Sequence, residues 1–270
     1  MTFEQIDRPQ RKREAAELLQ TAQVSPKGMT ALYMGLLLVL GLFSSLGGSG
    51  FFGIFISVLT TLLTSVLAAG FALYCMAIRR GERAEYLTIF DGFSFVGKLI
   101  LLELVTCLFI ALWAMLFVIP GVIAAYRYRF AKYNLYENPG IGVMEAIDMS
   151  KRQTLGYKFQ LFMLDLSYFG WALLAGLPSA LLSQMITRDL SAEVLYGIPA
   201  PSAYFGIPIL ALDLICSLWQ LLVALFYFPN CICVDLAYFE TAKRTSGVGE
   251  GAEPPQRPAW DGWNPPDGLS

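Results

Sequence analysis

Six charged side chains sit inside stretches that are otherwise apolar: Glu103, Arg127, Arg129, Lys132, Asp165 and Asp213. A charge near the middle of a lipid-spanning helix costs roughly 2.5–3.5 kcal/mol. Such residues persist where they pair with one another or line a polar path, and either use turns them inward. Helix rise along the spans assigned below puts Asp213 about level with Arg127, Asp165 with Arg129, and Glu103 with Lys132. In one reading these pairs fix how the helices dock. In the other they line a cavity for a small solute or a proton. The balance of three cations against three anions favours docking, because a permease more often carries an unpaired carboxylate or breaks helices in both halves.

The remaining chemistry is thin. The chain has no histidine. That removes the commonest metal ligand and the usual general base, and with them the two-histidine zinc helix and any Ser-His-Asp or Cys-His set. Cys75, Cys107, Cys216, Cys231 and Cys233 lie in or beside apolar runs and read as small buried hydrophobes. Cys231 and Cys233 alone cannot fill a tetrahedral metal site. A net charge of -2 carries no nucleic-acid signal. The expectation is a non-enzymatic chain with no metal, no cofactor and no nucleic-acid partner.

Long apolar runs must position those charges. Hydrophobic residues make up 56% of the 270 and charged residues 15%, against roughly 25% charged in soluble domains. The surplus apolar surface must face lipid. Residues 28–78 carry no charge. As one helix they would reach about 76 Å, far beyond a hydrocarbon core of about 30 Å, so the segment doubles back at Ser44-Ser45-Leu46-Gly47-Gly48-Ser49-Gly50. A membrane domain over 28–243 is expected, with spans at about 29–45, 52–77, 99–119, 121–137, 159–186 and 208–229.

Residues 1–27 read as a polar cytoplasmic segment without a cleavable signal. A helix over 11–23, with Arg8, Arg11, Lys12 and Arg13 nearby, suits an anionic membrane surface. Phe90, Phe93 and Phe95 beside Arg79, Arg80, Arg83 and Lys98 suggest an interfacial segment over 79–98. Pro120-Gly121 is expected to break the chain of helix. Residues 145–155 read as a short surface helix and 187–207 as a Pro/Gly loop. Residues 244–270 read as a disordered Pro/Gly-rich cytoplasmic tail.

The segment 121–137 decides the orientation of everything after it. If it crosses, eighteen of the 19 Lys and Arg fall on one side and Arg188 stands alone on the other. If it does not, the split is ten to nine. Insertion leaves cations in the cytoplasm, so the sequence predicts an all-α polytopic transmembrane bundle with six spans and both termini cytoplasmic. As a helix, Gly121 to Tyr136 reaches only about 24 Å. Local thinning, snorkelling or partners within the bundle must offset that shortfall and the three cations.

Small residues at Ser65/Ala69, Ala68/Ala72, Ala172/Gly176 and Gly176/Ala180 would permit close helix approach. Trp113, Trp171 and Trp219 suit either interfacial anchoring or packing. Tyr126, Tyr128, Tyr133 and Tyr136 are expected to be anchors.

Pro120-Gly121, Tyr126-Arg127-Tyr128, Asn138-Pro139, Ala146-Ile147 with Ser150-Lys151, Gly156-Tyr157-Lys158 and Leu164-Asp165-Leu166-Ser167 form one pattern. Through them, residues 119–171 resemble the bacterial integral membrane proteins grouped as domain of unknown function 975, and the resemblance runs over roughly 10–240. More distantly, the Pro-Gly followed by an arginine-bearing helix is similar to the membrane-anchoring region of some glycerophosphodiester phosphodiesterases, without their catalytic barrel. The resemblance implies a six-helix protein of a bacterial cytoplasmic membrane and no assigned activity. The functional expectation is an accessory or scaffold bundle acting through the bilayer, other membrane proteins or self-association. The alternative is a small-solute transporter or exporter component using the charged core.

Overall fold

The computed structural model describes residues 4–45, 50–196, 203–204 and 207–249. The helices in chain order are α1 (Arg8–Thr21), α2 (Pro26–Ser45), α3 (Phe51–Arg79), a 3₁₀ helix (Tyr86–Phe95), α4 (Val96–Leu116), α5 (Val118–Tyr128), α6 (Ala131–Glu137), α7 (Val143–Gln153), α8 (Lys158–Tyr196) and α9 (Ile209–Ser246). Among the described residues the only strands are the two-residue pair Ala203–Tyr204 and Ile207–Pro208. The all-α expectation holds. Five helical segments are long and apolar enough to cross a membrane: 26–44, 51–79, 86–116, 158–196 and 211–246.

The fourth expected span is not one helix. Residues 121–137 divide into α5 and α6 at Arg129 and Phe130, and α5 begins at Val118 rather than at Gly121. The break expected at Pro120-Gly121 falls at Phe117, whose extended backbone (φ -159, ψ 150) alone joins α4 to α5. Pro120 is then the third residue of α5. No helical hydrogen bond is asked of its missing N–H there, so the proline starts a helix instead of ending one.

Two other helices outrun their expected spans. Helix α8 has 39 residues and α9 has 38, about 58 Å each. Their polar ends stopped the hydropathy reading at 186 and 229, yet a helix need not end where lipid ends. Residues 187–196, expected as loop, belong to α8. Residues 244–246, expected as tail, belong to α9. The rest of the proposed tail from 250 onward lies outside the described residues, as do 46–49 within the first expected turn.

The chain forms two compact units. The first comprises residues 1–4, 95–158 and 239–270. In it α4 and α5 make an antiparallel hairpin. Three rungs run down it: Gly121 against Ala114, where an added Cβ would come within 2.7 Å of the Ala114 Cβ; Phe109 on Tyr128, ring centroids 6.0 Å apart; and Phe95 on Tyr136 at 5.9 Å. At the foot, Lys98 Nζ donates to the carbonyls of Pro139, Gly140 and Ile141. The chain that leaves along α4 has therefore returned to its starting level by residue 140. Tyr128, Tyr133 and Tyr136, expected as interfacial anchors, are buried. Tyr133 sits among Phe130, Tyr136 and Phe239 at 5.5–6.3 Å. Their hydrophobic rings go to packing because this unit has an interior of its own.

The second unit comprises residues 5–94 and 159–238. Helices α2 and α3 pack as neighbours, and Tyr33, Phe71 and Phe228 close the core with centroids 5.0–5.5 Å apart. Along α3 the first turns expose Phe51, Phe52, Ile54 and Phe55, while 66–72 are buried except Ala68. Of the small-residue pairs, Ala69 and Ala72 are in that buried stretch. Gly176 has open space beside it.

Candidate functional site

The polar side chains that converge lie on α7 and its neighbours in the first unit. Val143, Ala146, Ile147, Ser150 and Gln153 share one buried face, spaced as an amphipathic helix requires. The expected surface helix is thus buried along one side, and that side turns polar where it meets the α5–α6 junction. Ser150, Gln153 and Thr154 have no exposed surface.

Their task follows from the break. The Phe130 N–H donates to Ser150 Oγ at 3.2 Å. The Ser150 hydroxyl in turn donates to the Arg127 carbonyl at 2.8 Å, and Thr154 Oγ1 reaches the same carbonyl at 3.3 Å. A side chain inserted into the helical ladder is a recognised cause of a kink, and here it also satisfies the groups that the kink affects. Below it, Asn134 and Gln153 exchange two amide hydrogen bonds of 2.9 Å each. Gln153 Nε2 also donates to the Val248 carbonyl at 3.1 Å. Tyr157 Oη meets Thr245 Oγ1 at 3.0 Å and accepts from the Glu4 N–H at 3.3 Å.

Two ion pairs lie within this unit, at the end of α9: Lys243 with Glu137 at 2.7 Å and Arg244 with Glu4 at 2.8 Å. The first pair is only 18% and 14% exposed, the second 64% and 45%. Glu137→Gln should therefore cost about 1–2 kcal/mol, between the values for exposed and buried pairs. Glu4→Gln should cost under about 0.5 kcal/mol. Thermal unfolding of the two variants in detergent checks the ranking; equal shifts would contradict it. On the solvent side of α7, a hydrogen bond from Lys151 at 2.7 Å holds the Asp148 carboxyl below its usual range.

The six charges singled out from sequence divide between the units. Glu103, Arg127, Arg129 and Lys132 fall in the first; Asp165 and Asp213 fall in the second. Glu103, Arg127 and Lys132 are exposed and Arg129 is half-buried. Arg129 lies 5.8 Å from the Tyr126 ring centroid, and Lys132 Nζ lies 4.9 Å from that of Tyr133. Asp165 is half-buried and Asp213 exposed. Arg127 contributes its carbonyl to the hydroxyls of Ser150 and Thr154, and its charge is among those that keep the Asp148 carboxyl low.

The second unit satisfies a backbone group beside a proline in a similar manner. Pro178 lies inside α8 and lacks the N–H that would bond the Leu174 carbonyl. That carbonyl accepts from Trp219 Nε1 at 2.9 Å, and the neighbouring Gln220 donates to Ser179 Oγ at 2.7 Å. Trp219, an exposed indole, thus has a specific donor role. Trp219→Phe keeps an aromatic ring, smaller than the indole, and loses the donor, and should cost about 1 kcal/mol in a detergent melt; no shift would mean that the carbonyl finds another donor. Near the start of the chain, Lys12 Nζ sits 4.0 Å over the Tyr168 ring. The Lys12 carbonyl accepts from Asn230 Nδ2 at 3.1 Å, and Tyr168 Oη donates to Asn230 Oδ1. Burial pushes the Lys12 ammonium below its ordinary pKa. Residues 8–21 are accordingly a docked helix within this unit, with Ala15 buried.

Sequence reasoning passed over Ser150, Gln153, Thr154 and Asn134 because polar residues in a short helix were assigned to solvent. The signal was present: 143, 146, 147, 150, 153 and 154 continue one helical stripe, opposite Glu145, Asp148 and Arg152. Among the described residues, the one buried side-chain polar atom without a partner is Tyr238 Oη. No group of three His, Cys, Asp or Glu residues placed to hold a metal ion occurs among them.

No curated protein matches the chain, so the likeness to phosphodiesterase anchoring regions is not shown. No solved structure matches it either. Residues 114–245, which hold α5 to α7 and their polar cluster, match the family described as protein of unknown function (DUF975), the family that residues 119–171 resemble in sequence.

Proposed function

We propose that the chain is a multi-pass protein of a bacterial cytoplasmic membrane, a non-enzymatic scaffold or accessory bundle that acts through other membrane proteins or copies of itself. The observation that carries this reading is how its buried polar groups are used. Ser150 and Thr154 bond to backbone groups at the α5–α6 break, and Asn134 and Gln153 bond to each other. Groups engaged in this way hold helices in place.

The topology that goes with it has six crossings and cytoplasmic termini, the fourth crossing being the discontinuous α5–α6. Helix α4 has 21 residues, about 31 Å or one hydrocarbon thickness. Its hairpin partner brings Pro139–Ile141 back to Lys98, which supports the reading that both belong to one membrane face. A broken span is admissible because protein side chains satisfy its backbone. Fusions truncated after Gly140 to a fluorescent reporter that matures only in the cytoplasm should be bright, and the matching alkaline phosphatase fusions inactive. The reverse result would leave five crossings and remove the charge argument.

The transporter alternative draws on the half-buried Arg129 and Asp165 and on the discontinuous helix itself, a hallmark of transporter sites. Asp165→Asn and Asp213→Asn separate the two readings. Variants that lose folding in detergent support docking. Variants that fold normally but lose solute flux support transport.

A further inference from the structure

We infer that the tip of the α4–α5 hairpin is a membrane anchor that lies among lipid acyl chains and does not reach the far aqueous phase. The inference deepens the topology proposed above and rests on it: the third and fourth crossings meet inside the lipid. The hairpin lies wholly within the first unit.

The side chains at the tip are apolar without interruption. Met115, Leu116, Phe117, Val118 and Ile119 follow one another, each 62–85% exposed. From Cys107 to Ala125 the chain has no charged, hydroxyl or amide side chain. The other connections proposed for that side of the membrane are different. Residues 44–50 read Ser-Ser-Leu-Gly-Gly-Ser-Gly, and 187–207 include Thr187, Arg188, Asp189 and Ser191. An exposed apolar patch of this kind needs a cover other than water.

The backbone of the turn asks little of water. One residue, Phe117, joins the two helices. Its N–H donates to the Trp113 carbonyl at 3.2 Å, and its own carbonyl accepts from the Gly121 N–H at 3.3 Å. Pro120 has no N–H to satisfy. Helix geometry then leaves only the Val118 and Ile119 N–H groups of the first turn to be met from outside the helix. A turn that satisfies most of its backbone from within is the kind that lipid admits.

Length sets the depth. At the foot, Lys98 Nζ holds the carbonyls of Pro139, Gly140 and Ile141. Helix α7 starts just beyond and exposes Glu145, Asp148 and Arg152, so the foot lies no deeper than the membrane edge. From Lys98 to Phe117 a helix rises about 28 Å, less than the roughly 30 Å of hydrocarbon. Measured from Thr106, the last hydroxyl on α4, the rise is about 16 Å, near the midplane. At either limit Phe117 stays in the lipid. The count of cations by side is the same at both limits, because the two feet lie together. Such a hairpin ties the first unit to the bilayer through its own residues.

The test treats intact bacterial cells with a membrane-impermeant maleimide, which reacts with hydrated thiolates. Each variant adds one cysteine and is read against the wild type, whose five cysteines set the background. Ser191→Cys should label from outside, and Arg152→Cys only after permeabilisation. Val118→Cys should label less than a tenth as much as Ser191→Cys, before or after permeabilisation. In proteoliposomes, a phosphatidylcholine with a diazirine in its acyl chain should leave lipid adducts on residues 115–119 after illumination. Val118→Cys labelled as fully as Ser191→Cys in intact cells overturns the inference and leaves the topology standing. Arg152→Cys labelled in intact cells, or Ser191→Cys silent there, overturns the topology itself. A silent Val118→Cys without lipid adducts at 115–119 puts protein over the tip and overturns the lipid assignment.

Discussion

Adding one methyl group at Gly70 should destabilise the chain by about 3 kcal/mol, at the upper end of the range for overpacking. A Cβ there would lie 1.9 Å from the Ile89 carbonyl oxygen, 2.4 Å from its carbon and 2.7 Å from its Cα. All three are backbone atoms, so no side chain can swing aside. The contact is repeated one step along, where a Cβ on Gly92 would lie 2.5 Å from the Val66 carbonyl oxygen. Four residues of α-helix and three of 3₁₀ helix both advance about 6 Å. Positions 66 and 70 of α3 therefore stay in register with 92 and 89 of the 3₁₀ segment, and a glycine at each contact brings the backbones together. For a chain this size the cost corresponds to a fall of about 6–12 °C in melting temperature. Gly97, inside α4, meets nothing within 4 Å, and Gly97→Ala should be stabilising by about 0.5–1 kcal/mol. If Gly70→Ala melts with the wild type, the 3₁₀ segment is not seated on α3.

That pair shows where reading the sequence stops. Hydropathy located α2, α3 and α4 within a few residues, because length and the absence of charge suffice to mark a span. It read 79–98 as interfacial from its phenylalanines and arginines. Nothing in one sequence marks Gly70 and Gly92 as partners, since the contact depends on a 3₁₀ pitch that has no hydrophobic period of its own. The same limit explains α8 and α9. Their apolar parts were legible, but a hydropathy sum marks neither extension: α9 runs on to Ser246 through the buried stretch 233–239, and α8 runs on to Tyr196 with its last residues exposed. Pro120 was read as a breaker because its residue type was visible and its place in a helix was not. Charge reading picked out the ionisable side chains in apolar runs, but the first unit also draws on neutral amides and hydroxyls that carry no charge signal.

The second large effect concerns those amides. Asn134 is 2% exposed and Gln153 is fully buried, and each satisfies the other. Replacing either by an apolar side chain of similar shape, Asn134→Leu or Gln153→Met, leaves the remaining amide without its partner at a cost of about 2 kcal/mol or more. Replacing both removes the unsatisfied group along with its partner. The double variant should then be no less stable than the worse single, a coupling of about 1–3 kcal/mol in a double-mutant cycle. It should not regain wild-type stability in full, because the Val248 carbonyl loses its Gln153 donor. Additive losses would mean that the two amides act separately. The cycle also bears on function. In a scaffold, association with a partner follows folding, so the double variant should recover partner co-purification in step with its melting temperature. A double variant that folds yet no longer associates would give the Asn134–Gln153 pair a role beyond holding α6 against α7.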